Sequence, residues 1–238
     1  MLTYLKDFAL PSLFVAVISY LLGSISFSII FTKVFEHNTD IRKLGSGNAG
    51  ATNVLRSVGP KAAAFTFIFD FAKGAVSVMI GRAVFQYFCG LTAAPLIATQ
   101  YGAYLAGVAC VIGHIFPIYF GFKGGKGVLT SAAMIALIDW RVFCIVIPVF
   151  IIFLTITRIV SLSSMIAAAM FPVSTFLITY FVDYRGGRSA LGPISLSYVL
   201  ITTAIALLMA IVLITEHRAN IERLKNGTEK KLTVHHKS

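Results

Sequence analysis

Residues 195–214 read SLSYVLITTAIALLMAIVLI, twenty positions without a charged side chain. Wound as a helix rising about 1.5 Å per residue, this stretch covers the roughly 30 Å hydrocarbon core of a bilayer. It gives way at once to EHRANIERLKNGTE, residues 216–229, a segment too polar to follow it into lipid. That contrast decides the fold class: a helix crosses a membrane and its polar continuation stays at the face.

Five further runs have the same character, near 9–33, 62–86, 98–119, 142–157 and 164–182. A shorter one, 127–139, would reach only about 20 Å as a helix, so it is expected to tilt little, to begin inside the protein or to be partly re-entrant. Seven transmembrane helices are counted, with six as the alternative if this run does not cross. Composition agrees, since 58% of the 238 residues are hydrophobic, 12% are charged, and the mean hydropathy is +0.87. The apolar runs leave no room for a soluble domain. One all-α, polytopic membrane domain is expected over 1–229, followed by a polar, disordered tail at 230–238. The first run is read as a retained span rather than a cleaved signal, because it is long enough to cross and is preceded by both Lys6 and Asp7.

The cations are distributed unevenly among the breaks. One set holds Lys33, Arg42, Lys43, Arg56, Lys61, Lys123, Lys126, Arg158, Arg218, Arg223, Lys225, Lys230, Lys231 and Lys237, whereas the other holds Lys6, Arg82, Arg141, Arg185 and Arg188. The positive-inside rule then predicts an external N-terminus and a cytoplasmic C-terminus. All four segments rich in Gly, Ser, Asn and Lys, at 42–60, 119–128, 155–164 and 215–229, fall on the cytoplasmic face, which suggests a single site there. The net charge of +11 is read as serving topology and anionic headgroups or substrates of the lipid bilayer. Nucleic acid is excluded as a partner, because basic and aromatic residues do not interleave. Cys89, Cys110 and Cys144 are scattered in apolar surroundings, expected as small core residues rather than disulfides or metal ligands. No cofactor or metal is expected.

Three constellations point to phosphate. In residues 42–56, glycines expose main-chain N–H groups, Ser46, Asn48, Thr52 and Asn53 offer neutral hydrogen bonds, and Arg42 and Arg56 add charge. In 113–127, glycines flank Lys123 and Lys126. A Walker loop is ruled out there, since Phe120 stands at its first Gly position and Gly127 follows the lysine. In 216–229, helical spacing sets His217 and Asn220 on one face and Ile221 and Leu224 on another, with Gly227 as the stop. Ser161, Ser163 and Ser164 form a hydroxyl-rich turn beside Arg158. Asp70 and Lys73, three apart inside a span, are expected to neutralise each other. His114, at the end of a span, is either functional or bonded to a neighbouring helix.

The strings GSGNAGATNVLR at 45–56, GHIFPIYFGFKGGKG at 113–127 and HRANIERLKNGTE at 217–229 closely resemble the bacterial acyl-phosphate-dependent glycerol-3-phosphate acyltransferases. The resemblance extends to the Asp70–Lys73–Gly74 pattern and the Arg158–Ser164 turn, and covers most of the chain to Glu229. It implies seven transmembrane helices with an external N-terminus and residence in the bacterial inner membrane. It also implies transfer of an acyl group from acyl phosphate to the 1-hydroxyl of glycerol 3-phosphate, giving lysophosphatidic acid and phosphate at the first step of phospholipid synthesis. By the same resemblance Ser46, Arg56, Lys126, His217 and Asn220 form the glycerol-phosphate and catalytic site. Gly45, Gly47, Asn48, Gly50, Thr52, Asn53, Lys123, Gly124, Gly125, Ser161 and Ser164 line the substrates. The enzyme that makes acyl phosphate is the further partner considered. The His-x4-Asp base of other acyltransferases is missing, His37 and Asp40 being two residues too close. The rival from another class, an anion transporter, expects a midplane site and an internal repeat, and neither is visible.

Overall fold

The computed structural model describes residues 5–232, so the part of the expected tail beyond Leu232 lies outside the described residues. Within them every regular element is helical. Six stretches are long and apolar enough to cross a membrane: Lys6–Phe35, Pro60–Thr92, Ala98–Phe120, Trp140–Thr157, Val160–Tyr184 and Leu196–Glu216. They coincide with the six long runs read from hydropathy. The seventh run is a helix of 11 residues, Val128–Ile138, shorter than those six.

By internal contacts the described chain divides between Asp139 and Trp140 into two compact units. The first holds α1 (Leu5–Gly23), α2 (Phe27–Phe35), α3 (Ala51–Ser57), α4 (Pro60–Thr92), α5 (Ala98–Ile115) and α6 (Val128–Ile138). α4 and α5 pack together and α1 packs on both, while α6 lies against the same pair. Lipid tails are as apolar as the side chains, so these contacts rest on close packing of small residues. A methyl group on Gly23 would overlap the carbonyl of Cys110, one on Gly113 the carbonyl of Tyr20, and one on Gly81 the carbonyl of Gly102. The helices therefore meet main chain to main chain.

The first span is broken at Ser24–Ser26, between α1 and α2. A break inside a bilayer strands carbonyl groups that water cannot reach. Lys73 of α4 supplies the missing donors: its Nζ donates to Gly23 O at 3.0 Å and Ile25 O at 2.7 Å, and pairs with Asp70 Oδ1 at 2.8 Å. The expected Asp70–Lys73 pair is present, and it does more than neutralise two charges.

The second unit holds α7 (Trp140–Thr157), α8 (Val160–Leu177), α9 (Leu196–Glu216) and α10 (Arg218–Lys225). α8 packs between α7 and α9 and runs on as a π-helical segment, Ile178–Tyr184. Asp183 at its end accepts two bonds from the Arg141 guanidinium, at 2.7 and 2.8 Å, which ties α7 to the far end of α8. Two expectations are corrected. Cys144 is exposed on α7, unlike the buried Cys89 and Cys110, because α7 turns most of its surface outward and buries only Val142 and Val146. The run expected to end near 86 continues as helix, since α4 reaches Thr92 before the chain turns at Ala93 in the left-handed conformation (φ 54°).

Candidate functional site

In the first unit the glycine-rich segment between α2 and α4 sits on an apolar seat of Ile29, Ile41, Ala49, Val54, Ala62 and Ala63. Asn53, in the short helix α3, shapes it from inside. Its Oδ1 accepts the Ser46 N–H at 2.9 Å, and its Nδ2 donates to the carbonyls of Leu44 and Asn48, both at 3.0 Å. Gly45 and Gly47 lie at φ 59° and 73°, a region side chains avoid, and a methyl on Gly45 would overlap Asn53 Oδ1. The segment is thus a fixed turn wrapped around a carboxamide. Asn53, read from sequence as a ligand contact, turns its amide inward, because the carbonyls released by the turn need donors. The outer surface carries exposed Ser46, half-buried Asn48 and Thr52, and exposed Arg56. Gly50 caps α3 without a side-chain acceptor for its first amides.

Arg42 also departs from the phosphate role read from sequence. Its Nη2 pairs with Asp40 Oδ2 at 2.7 Å, and its Nη1 donates to the carbonyls of Phe120 at 2.6 Å and Lys123 at 3.2 Å. The guanidinium is therefore a staple between the two glycine-rich segments. Its hydrogen bonds hold the Asp40 carboxyl below the ordinary carboxylate range, against a smaller opposing effect of burial.

The second glycine-rich segment, 121–127, follows α5. Gly124 N donates to Ile115 O at 3.0 Å and Gly125 N to His114 O at 3.2 Å. Sequence reading had these amides facing a phosphate; instead they satisfy carbonyls left open at the end of α5. The two glycines serve close approach, since a methyl on Gly124 would overlap His114 O and one on Gly125 would overlap both His114 Nε2 and Ala49 O. Through Gly125 and Ala49 the two segments touch. Lys123 is exposed and Lys126 half-buried on the joined surface.

The second unit builds a separate cluster. α9 ends at Glu216, His217 caps α10, and the chain turns back at Gly227 (φ 68°). The turn delivers Glu229, which accepts from Ser161 Oγ at 2.7 Å, Asn220 Nδ2 at 2.6 Å and Arg223 Nε at 2.7 Å. Burial alone would raise the Glu229 carboxyl, but these three hydrogen bonds and the Arg223 charge outweigh it and leave its pKa below the ordinary value. Sequence reading assigned Glu229 no role. The signal was a lone acid after a helix-stopping glycine in a basic segment. His217 is buried, with Nδ1 2.7 Å from Leu213 O. A carbonyl can only accept, so Nδ1 carries the proton and Nε2 is the acceptor of the neutral ring. Ser164 is buried near the start of α8, its hydroxyl donating to Val160 O at 2.8 Å.

Residues 13–227 match the family described as glycerol-3-phosphate acyltransferase. Among curated relatives of that name, the protein of Syntrophomonas wolfei is 39% identical over 217 residues, covering 91% of this chain and 95% of the relative. That of Chlorobaculum tepidum is 38% identical over 235 residues, covering 96% and 100%. A crystal structure of PlsY (YgiH), an integral membrane glycerol 3-phosphate acyltransferase, in its glycerol 3-phosphate form superposes with a TM-score of 0.72 at 31% identity, covering 93% of this chain and 96% of that one. The lysophosphatidic acid form of that protein gives 0.71 at 30%. With sequence and helical architecture both matched along almost the whole length, the chain belongs to the glycerol-3-phosphate acyltransferase family and is a multi-pass integral membrane protein.

Proposed function

We propose that the chain transfers a fatty acyl group from acyl phosphate to the 1-hydroxyl of glycerol 3-phosphate, releasing lysophosphatidic acid and inorganic phosphate. The observation that carries this reading is the joining of two basic glycine-rich segments into one surface bearing Ser46, Arg56 and Lys126. Lys126 and Arg56 bind the phosphate of glycerol 3-phosphate, and Ser46 helps to orient it. Gly45, Gly47, Asn48, Gly50 and Thr52 approach the donor phosphate with main-chain or hydroxyl donors, and Lys123 lends charge. By the family resemblance, His217 and Asn220 serve the acceptor and Ser161 and Ser164 the donor.

Acyl phosphate is already activated, so the site has mainly to align the acceptor and stabilise the leaving charge. The hydroxyl oxygen of glycerol 3-phosphate attacks the acyl carbon, the bond from that carbon to the phosphate oxygen breaks, and phosphate departs. The hydroxyl proton passes to a phosphate oxygen of the donor, the route the family resemblance favours. The acceptor Nε2 of His217 offers a second route in the same direction.

We also propose seven crossings of the bacterial inner membrane, with the N-terminus outside and the glycine-rich segments on the cytoplasmic face, supported by the fourteen cations gathered in one set of breaks. Residues 1–229 would work as one acyltransferase domain, supplied by the enzyme that makes acyl phosphate. The test is phosphate release by detergent-purified protein given palmitoyl phosphate, with and without glycerol 3-phosphate, and with palmitoyl-CoA as alternative donor. Release that requires glycerol 3-phosphate and palmitoyl phosphate, with lysophosphatidic acid as product, is expected. Equal use of palmitoyl-CoA would overturn the donor, and no release by folded protein would overturn the reaction.

A further inference from the structure

Behind the joined segments lies a buried row of polar groups that the reaction above does not use. Lys73 is tied to the broken end of α1, and Asp70 is held by Lys73 at 2.8 Å, with Thr130 Oγ1 on the Asp70 carbonyl at 3.4 Å. His114 faces Asp70, its Nδ1 3.6 Å from Oδ1. The opposite end of the imidazole, Nε2, packs against Gly125 so closely that a methyl there would overlap it. The His114 carbonyl also accepts the Gly125 amide at 3.2 Å. One residue thus holds Gly125 by both its main chain and its ring, and the next residue is Lys126.

We propose that His114 is a positioning residue for Lys126, with Asp70 facing the imidazole from behind. The inference rests on the reading that Lys126 binds the phosphate of glycerol 3-phosphate. A lysine is a point charge on a flexible stem, so where its charge can reach is set by where its main chain is pinned. The imidazole sets that point by limiting how far residues 124–126 can sink toward α5. Removing the ring lets the segment settle inward and draws the ammonium away from its ligand. Ordinary core packing would give a different result, because it would affect folded yield and both substrates alike.

The two ends of the ring can be separated by substitution. His114→Asn keeps a polar group near the Nδ1 position and withdraws from Gly125. His114→Gln extends a polar group back toward the Nε2 position. The measurement is KM for glycerol 3-phosphate and, separately, for palmitoyl phosphate, quantities that do not depend on the fraction of protein folded. His114→Asn is expected to raise KM for glycerol 3-phosphate by about tenfold or more, to leave KM for palmitoyl phosphate unchanged, and to be largely rescued by His114→Gln. Gly125→Ala presses on this contact and on Ala49 O together, and a rise of KM confined to glycerol 3-phosphate is expected of it too if His114→Asn yields no folded protein. Wild-type KM values in the Asn variant, a parallel rise of both, or a Gln variant no better than Asn would overturn the inference. Wild-type protein without glycerol 3-phosphate-dependent release would instead strike the functional reading beneath it.

Discussion

Arg42 reaches the main-chain carbonyl of Phe120 at 2.6 Å while its other edge is held by Asp40 at 2.7 Å, so one guanidinium fastens two segments far apart in the chain. A planar fork does this and an ammonium does not. Arg42→Lys should keep the charge yet loosen the joint. Amide hydrogen exchange is expected to quicken over 44–50 and 118–124, and turnover to fall severalfold. Wild-type exchange in both segments would show that the staple is dispensable.

Lys126 and the buried Lys73 should fail in different ways. Lys126→Ala is expected to abolish turnover while the protein stays monodisperse with a normal melting midpoint. Lys73→Ala leaves Asp70 buried without its partner, a loss of about 3–5 kcal/mol for a broken buried pair, and should show as poor expression and aggregation on size-exclusion chromatography. An active, well-folded Lys126→Ala protein would remove that lysine from the mechanism.

Asn53→Ala deletes the acceptor of the Ser46 amide and the donor to Leu44 and Asn48. Leaving such groups unsatisfied costs about 1–3 kcal/mol each. Because the damage is confined to the turn, activity should drop more steeply than thermal stability. Asn53→Asp keeps the acceptor but sets a carboxylate against two carbonyls, and should do no better. Either variant with full activity would disprove the turn's dependence on this carboxamide.

Glu229 gives a pH dependence of defined sign. Its folded pKa lies below the ordinary glutamate value of about 4.3. Its tether to Ser161, Asn220 and Arg223 is therefore at full strength above that ordinary value, and is lost as pH falls through the lower folded one. Thermal melting of the wild type should weaken on that acid side. Glu229→Gln should be less stable near neutrality and should lack this part of the acid sensitivity. Parallel curves for the two proteins would contradict the assignment.

The long spans were legible because hydropathy over twenty residues is a local property. So was the Asp70–Lys73 pair, whose members are three apart on one helix, and α10 with its glycine stop. What escaped the sequence was the direction of hydrogen bonds between distant segments. Arg42, Gly124 and Gly125 have the composition of a phosphate loop, yet their donors answer carbonyls of Phe120, Ile115 and His114. Asn53 looked like a ligand for the same reason. The break at Ser24–Ser26 lies inside an apolar run, where Gly23, Ser24 and Ser26 give a weak local signal. Its carbonyls are answered by Lys73, 48 residues beyond Ile25.

That separation bears on biogenesis. Until residue 73 has been synthesised, the carbonyls of Gly23 and Ile25 have no ammonium to receive, and until α1 is alongside, that ammonium has Asp70 of its own helix but not these two acceptors. Neither span satisfies all its polar groups on its own, so the two are complete in lipid only side by side.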